Sequence, residues 1–308
     1  MILTICPNPS IDCTIELDSL NVGQLNRIDS KVETYSGKAL NVAVGVSRLG
    51  QRATATGFMF DSHAKMFEQS LELNGVIHNF VYNKGFARVN YKIIDNRSML
   101  TEINDRGETV SRAKQLELIE LVKNLSQNCN IAVMSGSLPK GVDSEFYNEV
   151  LSVIPSNVKK IVDTEEENMN CALKQEIFMV KPNLRELECF TRQIVHTKQD
   201  MVKAARKYID RGVKLVLISL GADGAILTDG DNHYYCKSAN VAVNSTVGAG
   251  DCMVSAACVE LSKGSSLDEL LRCSVAAGTA AITTSGTNLF YKDKYQEIYT
   301  KIKAEKFV

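Results

Sequence analysis

Two hydrophobic rhythms alternate along this chain. Short runs rich in β-branched residues are followed by longer stretches whose apolar positions recur every three to four residues, the pattern of βαβ units. The runs at 1–6, 52–60, 129–136, 158–164, 177–181 and 214–219 predict strands, and the stretches at 39–49, 62–74, 113–126, 144–152, 183–190 and 198–211 predict helices. Strands separated by helices form a mostly parallel sheet covered on both faces, so the fold class is α/β.

Two regions depart from that rhythm. Segments 13–20 with 25–36, and 86–104, alternate apolar and polar residues as antiparallel strand pairs do, with Asp95 and Asn96 supplying turn chemistry in the second. Ribbons inserted into a parallel-sheet chain can pack together as a small second sheet, a lid formed approximately by 12–36 and 86–104. Residues 249–262 are small and apolar on nearly every face, which predicts a buried helix. Helical patterns follow at 266–284 and near 292–303. With no low-complexity linker and no fixed repeat, residues 1–308 read as one domain carrying a discontinuous lid.

Composition narrows the class of ligand. Lys and Arg number 35 against 36 Asp and Glu, which leaves no broad field for nucleic acid or a membrane surface, so phosphate binding has to be local. The nine cysteines include no C-x-x-C pair and sit mostly in apolar runs, as reduced core residues do. The N-terminal "MILTICPNPS" has no signal-peptide character and no uncharged apolar run approaches a membrane span. A cytoplasmic protein acting on small molecules is the expectation.

The most pointed local feature is "NSTVGAGDCM" (244–253). If a helix starts near Ala249, the amides of Gly248, Ala249 and Gly250 form an anion site, and Asp251 beside them can take a proton from an attacking hydroxyl. The competing reading is a carboxylate that merely stabilises a helix start. In "SGKALN" (36–41), Gly37, Lys38 and Asn41 suit a phosphorylated polyol, although a solvated helix start explains them too. Lys181 ends a strand before Asn183 and Glu186, which read as a capping box or as groups orienting phosphates and the waters of a Mg²⁺ ion. "ISLGADGAIL" (218–227) reads as a hairpin that could lay Ser219, Gly221 and Gly224 along a nucleotide. Asp12, Arg27 and Arg88 are lid charges whose functional reading needs a ligand beneath them. The histidines have neither metal spacing nor a companion nucleophile, and Ser137 in "SGSLPKG" suits a loop that positions ligand.

Taken in order, "NPSID" (8–12), "LNR" (25–27), "SGKALNVA" (36–43), "ARVN" (87–90), "SGSLPKG" (135–141), "VKPN..E" (180–186), "SLGADGA" (219–225) and "NSTVGAGDC" (244–252) resemble the ribokinase-like sugar kinases of the PfkB family. The likeness is greatest to the branch of 1-phosphofructokinase and tagatose-6-phosphate kinase. It implies a ribokinase-like fold, ATP and Mg²⁺ as cofactors, and lid strands that commonly contribute to a homodimer. It would make Asp251 the base and the Gly248, Ala249 and Gly250 amides the anion hole. Asp12, Gly37, Asn41 and Ser137 would surround the sugar, and Arg27, Lys38 and Arg88 its existing phosphate. Lys181, Asn183, Glu186, Ser219, Gly221 and Gly224 would surround ATP, with Asn183 and Glu186 reaching Mg²⁺ through water.

The implied reaction makes a ketohexose bisphosphate, from fructose 1-phosphate first, with tagatose 6-phosphate or fructose 6-phosphate as alternatives. An unphosphorylated sugar or nucleoside as acceptor, or a sensor without turnover, are the rival readings. Two departures fall on the sugar side: Ser36 and Ala39 stand where the family usually has glycines, and "MFDSHA" (59–64) replaces a glycine-containing stretch.

Overall fold

The structure is a computed structural model that describes residues 1–97, 99–284 and 289–308. Ser98, inside the predicted second ribbon, lies outside the described residues. Strand Ile2–Cys6 lies inside the main sheet, parallel to Ala53–Phe60 on one side and Ile131–Ser135 on the other. Lys159–Asp163, Met179–Val180 and Leu215–Ser219 continue the parallel array. Every residue of Ile2–Cys6 and Ile131–Ser135 is buried, which explains why these runs are apolar without alternation.

Beyond Leu215–Ser219 the sheet turns antiparallel through Ala225–Thr228, His233–Cys236 and Ala304–Phe307. The hairpin expected at 218–227 is present, its strands joined through the short 3₁₀ turn Gly221–Asp223. The final strand, Ala304–Phe307, has half-buried and exposed positions and no strong apolar signal.

The second sheet has four strands among the described residues, ordered Ser30–Ser36, Ser10–Glu16, Arg88–Ile94 and Leu100–Asn104. Both expected ribbons are antiparallel pairs. In the first, the opening strand lies earlier and the second starts later than the sequence pattern suggests, at Ser10–Glu16 with Ser30–Ser36 in place of 13–20 with 25–36. Side-chain bonds account for the late start of the second strand: Asn26 accepts from the Asn21 amide at 2.8 Å and donates to the Asn21 carbonyl at 2.9 Å, closing a local turn over the residues where that strand was expected to begin. A parallel contact between Ser10–Glu16 and Arg88–Ile94 fuses the ribbons and fixes which side chains share a face.

Strand Ser30–Ser36 leads directly into helix Lys38–Arg48, which crosses helix Ala249–Lys263. The crossing is close because residue 45 is glycine: a Cβ there would stand 2.3 Å from Ser255 Oγ. That hydroxyl instead lies 2.8 Å from the Asp251 carbonyl and 3.1 Å from the Val42 carbonyl, tying the two helices together one turn from the site.

Candidate active site

The cleft opens at the carboxyl ends of the parallel strands, under the small sheet, where open α/β sheets bind ligands. Helix Ala249–Lys263 begins at Gly248, whose φ of 77° turns the chain into the helix without the steric cost a side chain would carry. Among the described residues no side chain caps this end. Asp251 does not cap it either: its Oδ2 accepts a 2.8 Å hydrogen bond from Asn41 Nδ2, across from the other helix. Ser36 Oγ donates to Asn41 Oδ1 at 3.1 Å, which orients the amide with its nitrogen towards the carboxylate.

Burial pushes the Asp251 carboxyl up to about 6, with the neighbouring Asp163 charge adding to the rise and the Lys38 and Lys181 charges opposing it. A carboxylate of this kind is ionised at neutral pH and basic enough to take a proton. The free amides at the helix start carry the positive end of the helix dipole towards the same place.

Asp163 organises the cations. It ends strand Lys159–Asp163 and is 2% exposed, with Lys181 Nζ 3.3 Å from Oδ1 and Lys38 Nζ 3.5 Å from Oδ2. Burial pushes its pKa up, and the two ammonium groups outweigh that effect and hold it below the usual carboxylate value. Lys38 is correspondingly raised, mainly by Asp163. Asp163 Oδ1 accepts no hydrogen bond from the described residues. The Lys181 ammonium lies against the helix start, where a Cβ on Gly250 would approach it to 3.2 Å.

Two adjoining cavities divide the cleft. One, of about 450 Å³, is polar and brings together Asp12, Gly37, Lys38, Asn41, Arg88 and Ser137 with Gly248, Gly250 and Asp251. Lys181, Asn183, Glu186 and Ser219 form its other wall. The second, of about 310 Å³, is mostly apolar; Val243, Met253, Val275 and Ile282 line it together with Gly221, Gly224 and Ala249. Asn183, Ser219 and Gly250 border both. Asn183 and Glu186 do form a capping box, each side chain accepting from the other's backbone amide at 2.8 Å, so the local reading and a place on the cleft hold together. Arg27 lies on the exposed connection between the first two lid strands and lines neither cavity.

Sequence reasoning passed over several cleft residues. On Arg88–Ile94 the polar residues Arg88, Asn90 and Lys92 recur with period two, which places them on one face; only the first was singled out. Asp12 Oδ1 accepts from Asn90 at 3.0 Å and Oδ2 from Lys92 at 2.9 Å. Arg88 leans on the Asn90 side-chain oxygen at 3.3 Å. Asp163 had a legible signal too, a carboxylate closing an apolar parallel strand.

Comparison with known proteins agrees with this geometry. The chain is 32% identical over 281 residues to a 1-phosphofructokinase of Borreliella burgdorferi, covering 91% of each chain. It is 28% identical to a tagatose-6-phosphate kinase of Staphylococcus epidermidis, covering 98% of each. The crystal structure of phosphofructokinase-2 from Escherichia coli in complex with substrates and products superposes with a TM-score of 0.91 at 31% identity, over 97% of this chain and 98% of that one. Residues 8–294 match the family described as pfkB family carbohydrate kinase. A ribokinase-like sheet, a second sheet over the cleft and a buried carboxylate at an uncapped helix start thus agree with the sequence match, and the chain belongs to the pfkB family of carbohydrate kinases.

Proposed function

We propose that this kinase transfers a phosphoryl group from ATP to a primary hydroxyl of a ketohexose phosphate, with fructose 1-phosphate as the first candidate and tagatose 6-phosphate as the second. The observation that carries the reading is Asp251, buried, bonded to Asn41 and raised to about 6 beside an uncapped helix start. The names of the curated relatives favour a sugar phosphate as acceptor.

In this reading Asp251 removes the proton of the attacking hydroxyl while Asn41 holds the carboxylate in line. The Gly248, Ala249 and Gly250 amides face the charge that develops on the transferring group, and Lys38 and Lys181 add cationic charge beside them. Asp12, Gly37 and Ser137 fix the sugar. The apolar cavity with Ser219, Gly221 and Gly224 takes the nucleotide, which supplies the phosphoryl group when bound. Glu186 and Asp163, the latter already paired with Lys181 and Lys38, are carboxylates on the cleft that suit contact with a hydrated Mg²⁺ through its waters, an ion that keeps several waters and needs few carboxylates. Among the described residues no cluster of three or more acidic, His or Cys side chains could chelate a metal directly, which favours contact through water and phosphate.

Exposed Val32, Leu100 and Ile103 on the lid strands support pairing of two lids in a homodimer. The nine free thiols suit the reducing cytoplasm as the place of action, and no helix of the described residues is long and apolar enough to cross a membrane. The test is ADP release with fructose 1-phosphate, tagatose 6-phosphate, fructose 6-phosphate and the unphosphorylated sugars. Turnover confined to unphosphorylated sugars would overturn the reading; sugar-phosphate binding without turnover would make the protein a sensor.

A further inference from the structure

Lys92 is a lysine on a lid strand whose side chain is only 8% exposed, and it borders the polar cavity. Burying an ammonium group is costly, and its ion pair with Asp12 does not by itself explain why both charges are kept, because an apolar pair can stabilise a fold as well. What distinguishes the site is its arrangement. Asp12 stands opposite Asn90 in the ladder, Ser10 opposite Arg88 and Thr14 opposite Lys92, so one face presents Arg88, Asn90 and Lys92 around a single carboxylate. Asn90 and Lys92 bond Asp12, while Arg88 bonds the Asn90 side-chain oxygen and the Asn8 carbonyl, so Lys92 pairs with the carboxylate directly and Arg88 is left without a carboxylate contact of its own on this face. Glu102, across the ladder from Lys92 on the other side, also borders the cavity but is exposed, and its charge is screened by solvent. Only one of the three N–H bonds of Lys92 is directed to Asp12.

The other candidate cations are placed differently. Lys38 is turned to Asp163, beside the base, and Arg27 is exposed outside the cleft. At the lid end, the cations of this chain that border the cavity are Arg88 and Lys92. We propose that Lys92 determines specificity for a phosphorylated acceptor: anchored by Asp12, its ammonium receives, together with the Arg88 guanidinium, the phosphate that the sugar already carries. The proposal rests on the sugar-phosphate reading above and assigns its selectivity to a residue outside the recognised motifs.

The test compares wild type, Lys92→Met, Lys92→Gln and Lys92→Arg in the full chain. ADP release is measured with fructose 1-phosphate and tagatose 6-phosphate against fructose and tagatose, at saturating ATP. Losing a charge-assisted contact to phosphate is expected to raise KM for the sugar phosphates roughly 10- to 100-fold in the Met and Gln variants. Values of kcat and of KM for ATP stay near wild type. The preference for phosphorylated over unphosphorylated sugar falls by the same factor, and Lys92→Arg restores most of it. Melting curves identify variants that fold, and Gln and Arg carry the test if Met does not. If the neutral variants weaken both kinds of sugar equally, Lys92 only supports Asp12 and the proposal is overturned while the sugar-phosphate reading stands. If wild type itself prefers unphosphorylated sugars, that reading fails first and the proposal with it.

Discussion

The two halves of the cleft are built from different materials. The polar cavity, the proposed sugar side, is a grid of charged and amide groups on a sheet face, where Asn90 and Lys92 both bond Asp12. The second cavity, the proposed nucleotide side, is mostly apolar with glycines in its wall. Selectivity on the first side comes from charge and hydrogen bonds, which reject a wrong ligand by leaving buried polar groups unpaired. On the second it comes from shape and backbone approach. Substitutions should therefore separate the halves: charge changes near the lid alter the acceptor, whereas changes in the apolar cavity alter only affinity for the nucleotide.

The largest effect is expected where the halves meet. Asp251→Asn should lower kcat by about 10³-fold, within the range for loss of a general base, with both substrates still bound. The same variant should melt at a higher temperature than wild type at pH 7 to 8. The folded carboxyl is raised to about 6 from an ordinary value of 3.8, so the cost of ionising it in the fold is absent below about pH 3.8, develops as pH rises from there to 6 and is fully present above that. The stabilisation of the Asn variant is about 3 kcal/mol above pH 7 and disappears below about pH 4. Equal melting temperatures at pH 8 would show that Asp251 is not strained by burial.

Asp163→Asn should come next. Leaving Lys38 and Lys181 without their shared counter-charge should reduce kcat about 10²-fold and destabilise the fold by about 3 kcal/mol, as breaking a buried ion pair does. Rates and urea melts of one preparation measure both. A variant with normal activity would remove Asp163 from the phosphoryl-transfer end. For the wild-type enzyme, kcat/KM should fall about tenfold per pH unit below pH 6 as Asp251 protonates; a profile flat down to pH 5 would point to another base. The smallest effect is expected from Val243→Ser in the apolar cavity: a few-fold rise in KM for ATP and an unchanged KM for the sugar. A shift in the sugar KM instead would show that the two halves are not independent.

Much of this was legible in the residues. The parallel strands were visible as apolar runs and the Asp251 turn as glycines before a small-residue helix, because both signals are local. The environment of Asp251 was not visible locally, since its side-chain partner, Asn41, comes from the opposite end of the chain. Lys92 was overlooked because a lysine on an alternating strand is normally solvated; the parallel pairing of two distant ribbons is what buries it. Arg27 illustrates the reverse case, a residue marked by resemblance that the local turn at Asn21 and Asn26 leaves on the surface.

The hydrogen bond between Asn41 and Asp251 spans 210 positions of sequence, and the Ser255 contact with Val42 spans 213. Contacts of such separation bear the loop-closure cost of nearly the whole chain and form slowly. During synthesis the lid, the central strands and the Asp163 cation pair can emerge and fold well before the helix bearing the base is available to join them. Catalytic competence is then among the last properties the nascent chain acquires, and a partly folded molecule that already holds its polar grid cannot transfer phosphate.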